Sequence, residues 1–289
     1  MAVILDAYLY DTFLSGELVM NDIIFELKDV HYSYLGKYPA LCGIDMTIQA
    51  GEKIAVIGAN GTGKSTLLHL LDGLIFPSSG KVMVFGQELN EQLLNEEESA
   101  HRIRSKVGMV FQNADIQLFC PSVREDIAFG PLQLGVNETE VKKRLMEISE
   151  SMDVRHLLDR SPHALSIGEK RKVAIASVLA IDPDVLILDE PTAGLDPLTV
   201  RHIIDILMEA NARGKTIITA THDLHILAEI ADTVYVFGRN KKILRSGKVE
   251  DILTDQQLLQ DNNLVHIHKH KHKNIMHAHP HVHLDHHVD

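Results

Sequence analysis

The segment Gly58-Ala59-Asn60-Gly61-Thr62-Gly63-Lys64-Ser65-Thr66 constrains the fold more than any other part of the chain. It matches G-x-x-x-x-G-K-[ST]. It lies between a β-rich apolar run, Lys53-Ile54-Ala55-Val56-Ile57, and a helical pattern over residues 65–74. A strand that passes through a glycine-rich loop into a helix aims successive backbone N–H groups and a helix N-terminus at one point. Glycine lets that backbone come close to a ligand. In this arrangement residues 58–63 wrap phosphates, Lys64 reaches the β- and γ-phosphates, and the Ser65 hydroxyl ligates Mg²⁺ with Thr66 beside it. An ordinary glycine-rich turn is the plain alternative, and it leaves the flanking strand and helix unexplained.

A second apolar run, Val185-Leu186-Ile187-Leu188, delivers Asp189 and Glu190. An acid pair at a strand end fits metal support in phosphoryl transfer: Asp189 holds Mg²⁺, through water, and Glu190 positions and polarises the attacking water. A buried strand ending in solvated acids is the competing reading, and it weakens beside the phosphate loop. Further apolar runs at 107–111, 216–220 and 233–237, separated by helical stretches, predict an α/β domain with a mainly parallel sheet. Ahead of them, Phe25 and Leu27, then Ile44, Met46 and Ile48, alternate with polar residues around the turn residues Gly36 and Pro39. That pattern predicts an antiparallel pair. Residues 113–180 are mainly helical, with Glu138–Ser151 amphipathic, and read as a helical subdomain inserted between core strands.

Composition excludes several classes. With 289 residues and 45% apolar side chains the chain can bury a sizeable core. A net charge of −12 argues against a general nucleic-acid binder. Two cysteines, Cys42 and Cys120, give no disulfide framework and point to a reducing compartment. No apolar run reaches the ~20 residues of a membrane span, so a membrane role would require docking onto other chains. Residues 1–21 read as an N-terminal extension, with Met20 as an alternative start.

Leu165-Ser166-Ile167-Gly168-Glu169-Lys170-Arg171-Lys172 precedes the acid strand. Ser166 and Glu169 make a capping box, so a helix begins there. A helix cap alone does not explain the other motifs, which fall in a fixed order: Tyr34, Val110-Phe111-Gln112, Ala193-Gly194-Leu195-Asp196 and Ala220-Thr221-His222-Asp223. In this order, over about residues 22–250, the chain resembles the ABC ATPase family. The runs Phe111-Gln112-Asn113-Ala114-Asp115-Ile116-Gln117-Leu118-Phe119 and Val123-Arg124-Glu125-Asp126-Ile127-Ala128-Phe129-Gly130-Pro131, with Glu169 in place of the commoner Gln, resemble the ATPase subunit of energy-coupling-factor transporters, especially the cobalt and nickel branch. Ile167 departs from the usual Gly, and a β-branched residue excludes an easy positive φ there.

The resemblance implies a P-loop core with an antiparallel β subdomain and a helical insertion, hydrolysing ATP with Mg²⁺. It implies that Tyr34 stacks on adenine, that His222 contacts the γ-phosphate, and that Gln112 links metal or water to a transmembrane partner. It also implies that Ser166 and Gly168 face the phosphate loop of a second ATPase subunit, identical or not. The implied partners are a transmembrane coupling subunit and a substrate-binding membrane subunit, at the cytoplasmic face of the cell membrane. The expected cargo is cobalt or nickel; a vitamin, or a non-transport ABC ATPase, is the alternative.

The ATPase domain is expected over residues 22–255, and residues 256–289 are expected to form a histidine-rich, disordered tail. His266, His268, His270 and His272 alternate with other residues, as do His277, His279, His281 and His283, and His286 and His287 close the series. Alternate residues of an extended chain share a face, and imidazole suits Ni²⁺ and Co²⁺. A solvated polar tail or a cloning tag is the other reading, although a tag would be one unbroken run.

Overall fold

The computed structural model describes residues 23–272 and 275–281, with side chains over residues 23–265. The extension expected over residues 1–21 lies outside them. Strands β1 (Ile23–Tyr34) and β2 (Tyr38–Gln49) form the antiparallel pair anticipated from the alternation, with Phe25, Leu27, Ile44 and Ile48 buried. They join through Leu35 and Gly36, whose φ values of 53° and 66° match the hairpin turns that follow strand twist. β3 (Lys53–Ile57) leads through the glycine loop into α1 (Lys64–Leu71). β4 (Ser79–Val84) and β5 (Gln87–Glu88) extend the first pair to an antiparallel sheet of order β2-β1-β4-β5.

Helices α2 (Glu91–Asn95) and α3 (Glu97–Lys106) lead to β6 (Val107–Val110). Three helices, α4 (Val123–Gln133), α5 (Glu138–Ser151) and α6 (Ile167–Leu179), then intervene before β7 (Val185–Asp189), as the insertion reading requires. The rest of the body is α7 (Pro197–Ala212), β8 (Thr216–Thr221), α8 (Leu227–Ile230), β9 (Thr233–Phe237), β10 (Ile243–Lys248) and α9 (Val249–Thr254). The six-stranded sheet runs β10-β9-β3-β8-β7-β6, parallel throughout except for β10. Both faces of β3 are covered, which is why it reads as an unbroken apolar run. Ile54 and Val56 pack with α1 and the antiparallel sheet, and Ala55 and Ile57 pack with α8 and α9.

The C-terminal boundary differs from expectation. α10 (Gln256–Asp261) is helical, capped by Asp255, whose carboxylate accepts the Leu258 N–H at 3.0 Å. Leu259, Leu264 and Val265 are buried with Val234 and Val236 of β9. The packed chain therefore extends past residue 255, to Val265. The histidine segment is not without structure either: β11 (His266–His272) pairs antiparallel with β12 (Ile275–His281). The same period-two alternation that spaces the histidines is the pattern of a strand. Among the described residues no helix is long and apolar enough to cross a membrane.

Candidate nucleotide site

The loop after β3 is shaped by close backbone approach. A Cβ on Gly58 would lie 2.7 Å from Phe237 O and from Thr62 Oγ1, and one on Gly63 would overlap Ala40 O. Thr62 Oγ1 donates to Ala59 O at 2.9 Å and closes the loop. Lys64 is buried, and its Nζ donates to Gly58 O at 2.8 Å and to Ala59 O at 3.4 Å. Burial lowers its pKa, and the nearby carboxylates of Glu190 and Asp189 oppose that shift. Ser65 and Thr66 occupy the first turn of α1, where N–H groups have no helical partner. Tyr34 OH and Thr66 Oγ1 share a hydrogen bond of 3.1 Å, and Tyr32 meets the Tyr34 ring edge-on with centroids 5.0 Å apart.

β7 brings the acid pair to the same place. Asp189 is 3% exposed and hydrogen-bonded by Ser65, while its Oδ1 is buried without a partner among the described residues. Burial raises its pKa; the Ser65 hydrogen bond works the other way. An open carboxylate oxygen beside a serine hydroxyl is a hard-oxygen donor set, so these residues fit Mg²⁺. Glu190 leaves the strand with φ 48°, a left-handed conformation that costs of order 1–3 kcal/mol for a non-glycine residue. Its N–H is held by Ala220 O at 2.9 Å, and its Oε1 is hydrogen-bonded to His222 Nδ1 at 2.8 Å. The bent backbone thus swings Glu190 off the line of β7 and against the end of β8.

Tyr34, Asn60, Gly61, Gly63, Lys64, Ser65, Thr66, Gln112, Asp189 and Glu190 line one cleft of about 440 Å³. His222 lines an adjoining cavity of about 770 Å³ with Ala59, Thr62, Gln112 and Glu190. Of the residues expected between 34 and 222, three line neither cavity: Gly58, whose carbonyl lies beneath the loop and accepts from Lys64 Nζ, and Ser166 and Gly168. Among the described residues lining these cavities neither Ser166 nor Gly168 occurs. Ser166 caps α6 in the expected capping box: its N–H donates to Glu169 Oε2 at 2.7 Å, and Glu169 N–H donates to Ser166 Oγ at 3.3 Å. Ile167 is the first helical residue and 71% exposed, so no positive φ is demanded of it.

Three contributors were not anticipated as site-forming. Arg171, nearly fully buried in α6, donates to Phe111 O at 2.8 Å and to Gln112 O at 2.6 Å. Gln117 accepts the Phe111 N–H at 3.1 Å and donates to Ala174 O at 2.9 Å. Together they fix the loop that carries Gln112 onto α6. Lys241, in the β9–β10 turn, donates to Gly61 O and lines the cleft. No local motif marks it, because the turn meets the phosphate loop only in the folded sheet.

Seven of the tail histidines, His266, His268, His270, His272, His277, His279 and His281, fall in β11 and β12. His283, His286 and His287 lie outside the described residues.

Residues 41–193 match the family described as ABC transporter. The chain is 46% identical over 244 residues to the nickel import ATP-binding protein NikO of Rhodobacter capsulatus, covering 83% of this chain and 95% of that one. It is 43% identical over 241 residues to the energy-coupling factor transporter ATP-binding protein EcfA of Methanothermobacter thermautotrophicus, covering 83% and 76%. Among solved structures it resembles cbiO1 from Clostridium perfringens, part of the ABC transporter complex cbiONQ, with TM-score 0.71 and 37% identity over 84% of this chain and 95% of that one.

Proposed function

The chain belongs to the ABC transporter ATPase family as the ATP-binding, ATP-hydrolysing subunit of an ABC or energy-coupling-factor transporter, and on that premise we propose that it drives import of nickel or cobalt ions from the cytoplasmic face of the cell membrane. The observation that carries the chemistry is the convergence of Lys64, Asp189 and Glu190 in one cleft, with Asp189 Oδ1 left open beside Ser65. Nickel is supported by the nickel import relative, and nickel or cobalt by the alternating histidines.

In this reading the amides of residues 58–66 and the Lys64 ammonium hold the β- and γ-phosphates, and Tyr34 supports the base. Ser65 and Asp189, with Gln112, would hold Mg²⁺, which supplies positive charge at the phosphate oxygens when bound. Glu190 accepts a hydrogen bond from the attacking water and orients it in line with the γ-phosphate. His222 keeps Glu190 in place and contacts that phosphate. Ser166 and Gly168 serve the nucleotide of a second ATPase subunit, which agrees with their absence from this chain's own cleft.

The transmembrane partner finds a seat between α4 and α5. A groove of about 740 Å³ there is lined by Ala128, Phe129, Leu132, Val141, Leu145 and Met146. Phe129 and Leu132 are 40% and 48% exposed, in a helix pair that packs onto α6 and so onto the Gln112 loop. Uptake of labelled Ni²⁺ and Co²⁺ by cells lacking this chain tests the proposal. Uptake should be lost, and restored by the wild-type chain but not by Lys64→Ala. Intact metal uptake with loss of a vitamin would replace the cargo and leave the motor assignment standing.

A further inference from the structure

Lys241 occupies a backbone position that glycine would fill more easily. Between β9 and β10 the Lys241 N–H donates to Gly238 O at 3.0 Å, and the Gly238 N–H donates to Lys242 O at 3.0 Å. These bonds close a three-residue hairpin loop, Arg239-Asn240-Lys241, whose last residue takes a left-handed conformation with φ 64°. Glycine adopts that conformation without steric cost, whereas the Cβ of a lysine crowds the following carbonyl. Strain of this kind gathers at functional sites, where the surrounding structure holds it in place.

The surroundings of the turn fix where this side chain goes. The Lys241 carbonyl accepts the Cys42 N–H of β2 at 2.9 Å, which ties the turn to the antiparallel sheet. Lys241 Nζ donates to Gly61 O in the phosphate loop. Lys241 lines both the nucleotide cleft and the adjoining cavity, and the other residues common to the two are Asn60, Gly61, Gln112 and Glu190. It therefore stands where the two spaces meet, beside the residues assigned to the metal and the attacking water. Among the described residues that line the cleft, only Lys64 and Lys241 are cationic, against the carboxylates of Asp189 and Glu190. Lys64 is buried and bonded to the carbonyls of Gly58 and Ala59, whereas Lys241 is partly exposed.

We infer that Lys241 is a second phosphate-binding lysine, whose ammonium leaves Gly61 O for an oxygen of the γ-phosphate when ATP binds. The inference rests on the placement of the nucleotide proposed above. A lysine ammonium is a point charge on a flexible stem, so it can exchange a neutral carbonyl for a phosphate oxygen nearby. The exchange keeps one hydrogen bond and makes its acceptor anionic, which strengthens it. Because the contact is to the γ-phosphate, it favours ATP over ADP. A motor that must release ADP after each turnover gains from a contact that ADP lacks. The strained backbone at residue 241 is then the cost of placing a charge where glycine would place none.

The test measures, by calorimetry on the full-length chain, binding of Mg-ADP and of Mg-AMP-PNP, an ATP analogue that is hydrolysed slowly. Lys241→Gly removes the charge and relieves the turn, Lys241→Gln removes the charge and keeps a stem, and Lys241→Arg keeps the charge. The first two variants should bind AMP-PNP about five- to ten-fold more weakly, and ADP within about two-fold of wild type. Lys241→Arg should restore most of the preference for AMP-PNP. The Tm of Lys241→Gly should equal or exceed that of wild type, since glycine suits the left-handed position. Equal losses for both nucleotides would make Lys241 a brace of the loop through Gly61 and overturn the inference. Unchanged binding of both nucleotides, or a Tm several degrees lower in Lys241→Gly, would also overturn it. A wild-type chain that binds neither nucleotide would overturn the nucleotide reading itself.

Discussion

Arg171 shows how much of a site can rest on one side chain that touches no substrate. Its guanidinium spends two hydrogen bonds on the carbonyls of Phe111 and Gln112, from a position 5% exposed. Hydrogen bonds to charged groups contribute about 1.5–3 kcal/mol each when buried. Arg171→Met keeps the length and removes both, freeing the Gln112 loop from α6. The expected result is a kcat lower by about ten-fold with KM for ATP changed little, since the phosphate-binding residues stay in place. Arg171→Lys, which keeps the charge and one contact, should recover part of the rate; a KM effect without a kcat effect would contradict this role. A second residue gives a pH dependence. Asp72 follows the last turn of α1, where the helix dipole disfavours negative charge. Burial pushes its carboxyl up to about 7 from 3.8, with Arg104 opposing. A raised folded pKa means that its favourable contribution is whole below about pH 4 and is lost as pH rises through about 7. Asp72→Asn should match wild type in Tm at pH 4 and exceed it by several degrees at pH 8; a constant difference across that range would refute the assignment. The phosphate loop and the acid pair were legible in the sequence because each role is tied to a residue type at fixed local spacing. The roles of Arg171 and Lys241 were not, because their partners are main-chain carbonyls far away in sequence. Nor does any residue pattern announce the left-handed turn at Glu190.

At the scale of elements, legibility followed periodicity and burial. The doubly covered strands β3, β7 and β8 read directly as apolar runs, and α5 read as an amphipathic stretch with the bounds Glu138–Ser151. β5 has two residues and carries no period at all, so the four-stranded extent of the antiparallel sheet emerged only in the fold. The α4–α5 groove escaped the sequence for a different reason. Its apolar residues belong to two helices, and each helix alone shows only residues expected of a core face. Phe129, which lines it, meets Phe119 edge-on with centroids 4.9 Å apart, although both are substantially exposed. Phe129→Asp places a charge on this surface and leaves Lys64, Asp189 and Glu190 untouched. ATPase of the isolated subunit should stay within about two-fold of wild type, while co-purification with the membrane subunits and cargo uptake are lost. Retained assembly with the charged variant would move the docking site elsewhere.

In the proposed reading the whole molecule carries half of two sites. Its cleft holds Lys64, Asp189 and Glu190, whereas Ser166 and Gly168 at the start of α6 line neither that cleft nor the cavity beside it. The order of motifs leads to the expectation of such a division, whereas the packed body extends to Val265, beyond the boundary expected at residue 255. Burial of Leu264 and Val265 is decided by contact with β9, which the composition of the tail conceals. Two chains of net charge −12 repel, so their closure must be driven by what lies between them. If nucleotide phosphates bridge the loop of one chain and the α6 terminus of the other, the closed pair persists only while ATP is intact. Glu190→Gln separates binding from hydrolysis. The amide keeps an oxygen for His222 and the shape of the side chain, and it removes the charge that polarises water. The variant should therefore elute as a monomer without nucleotide and as a dimer with Mg-ATP, with hydrolysis lower by about 100-fold or more. Mg-ADP should leave it monomeric, since the bridging γ-phosphate is missing. A variant that hydrolyses at the wild-type rate would remove Glu190 from the catalytic role, and one that stays inactive and monomeric in Mg-ATP would separate catalysis at Glu190 from dimer closure.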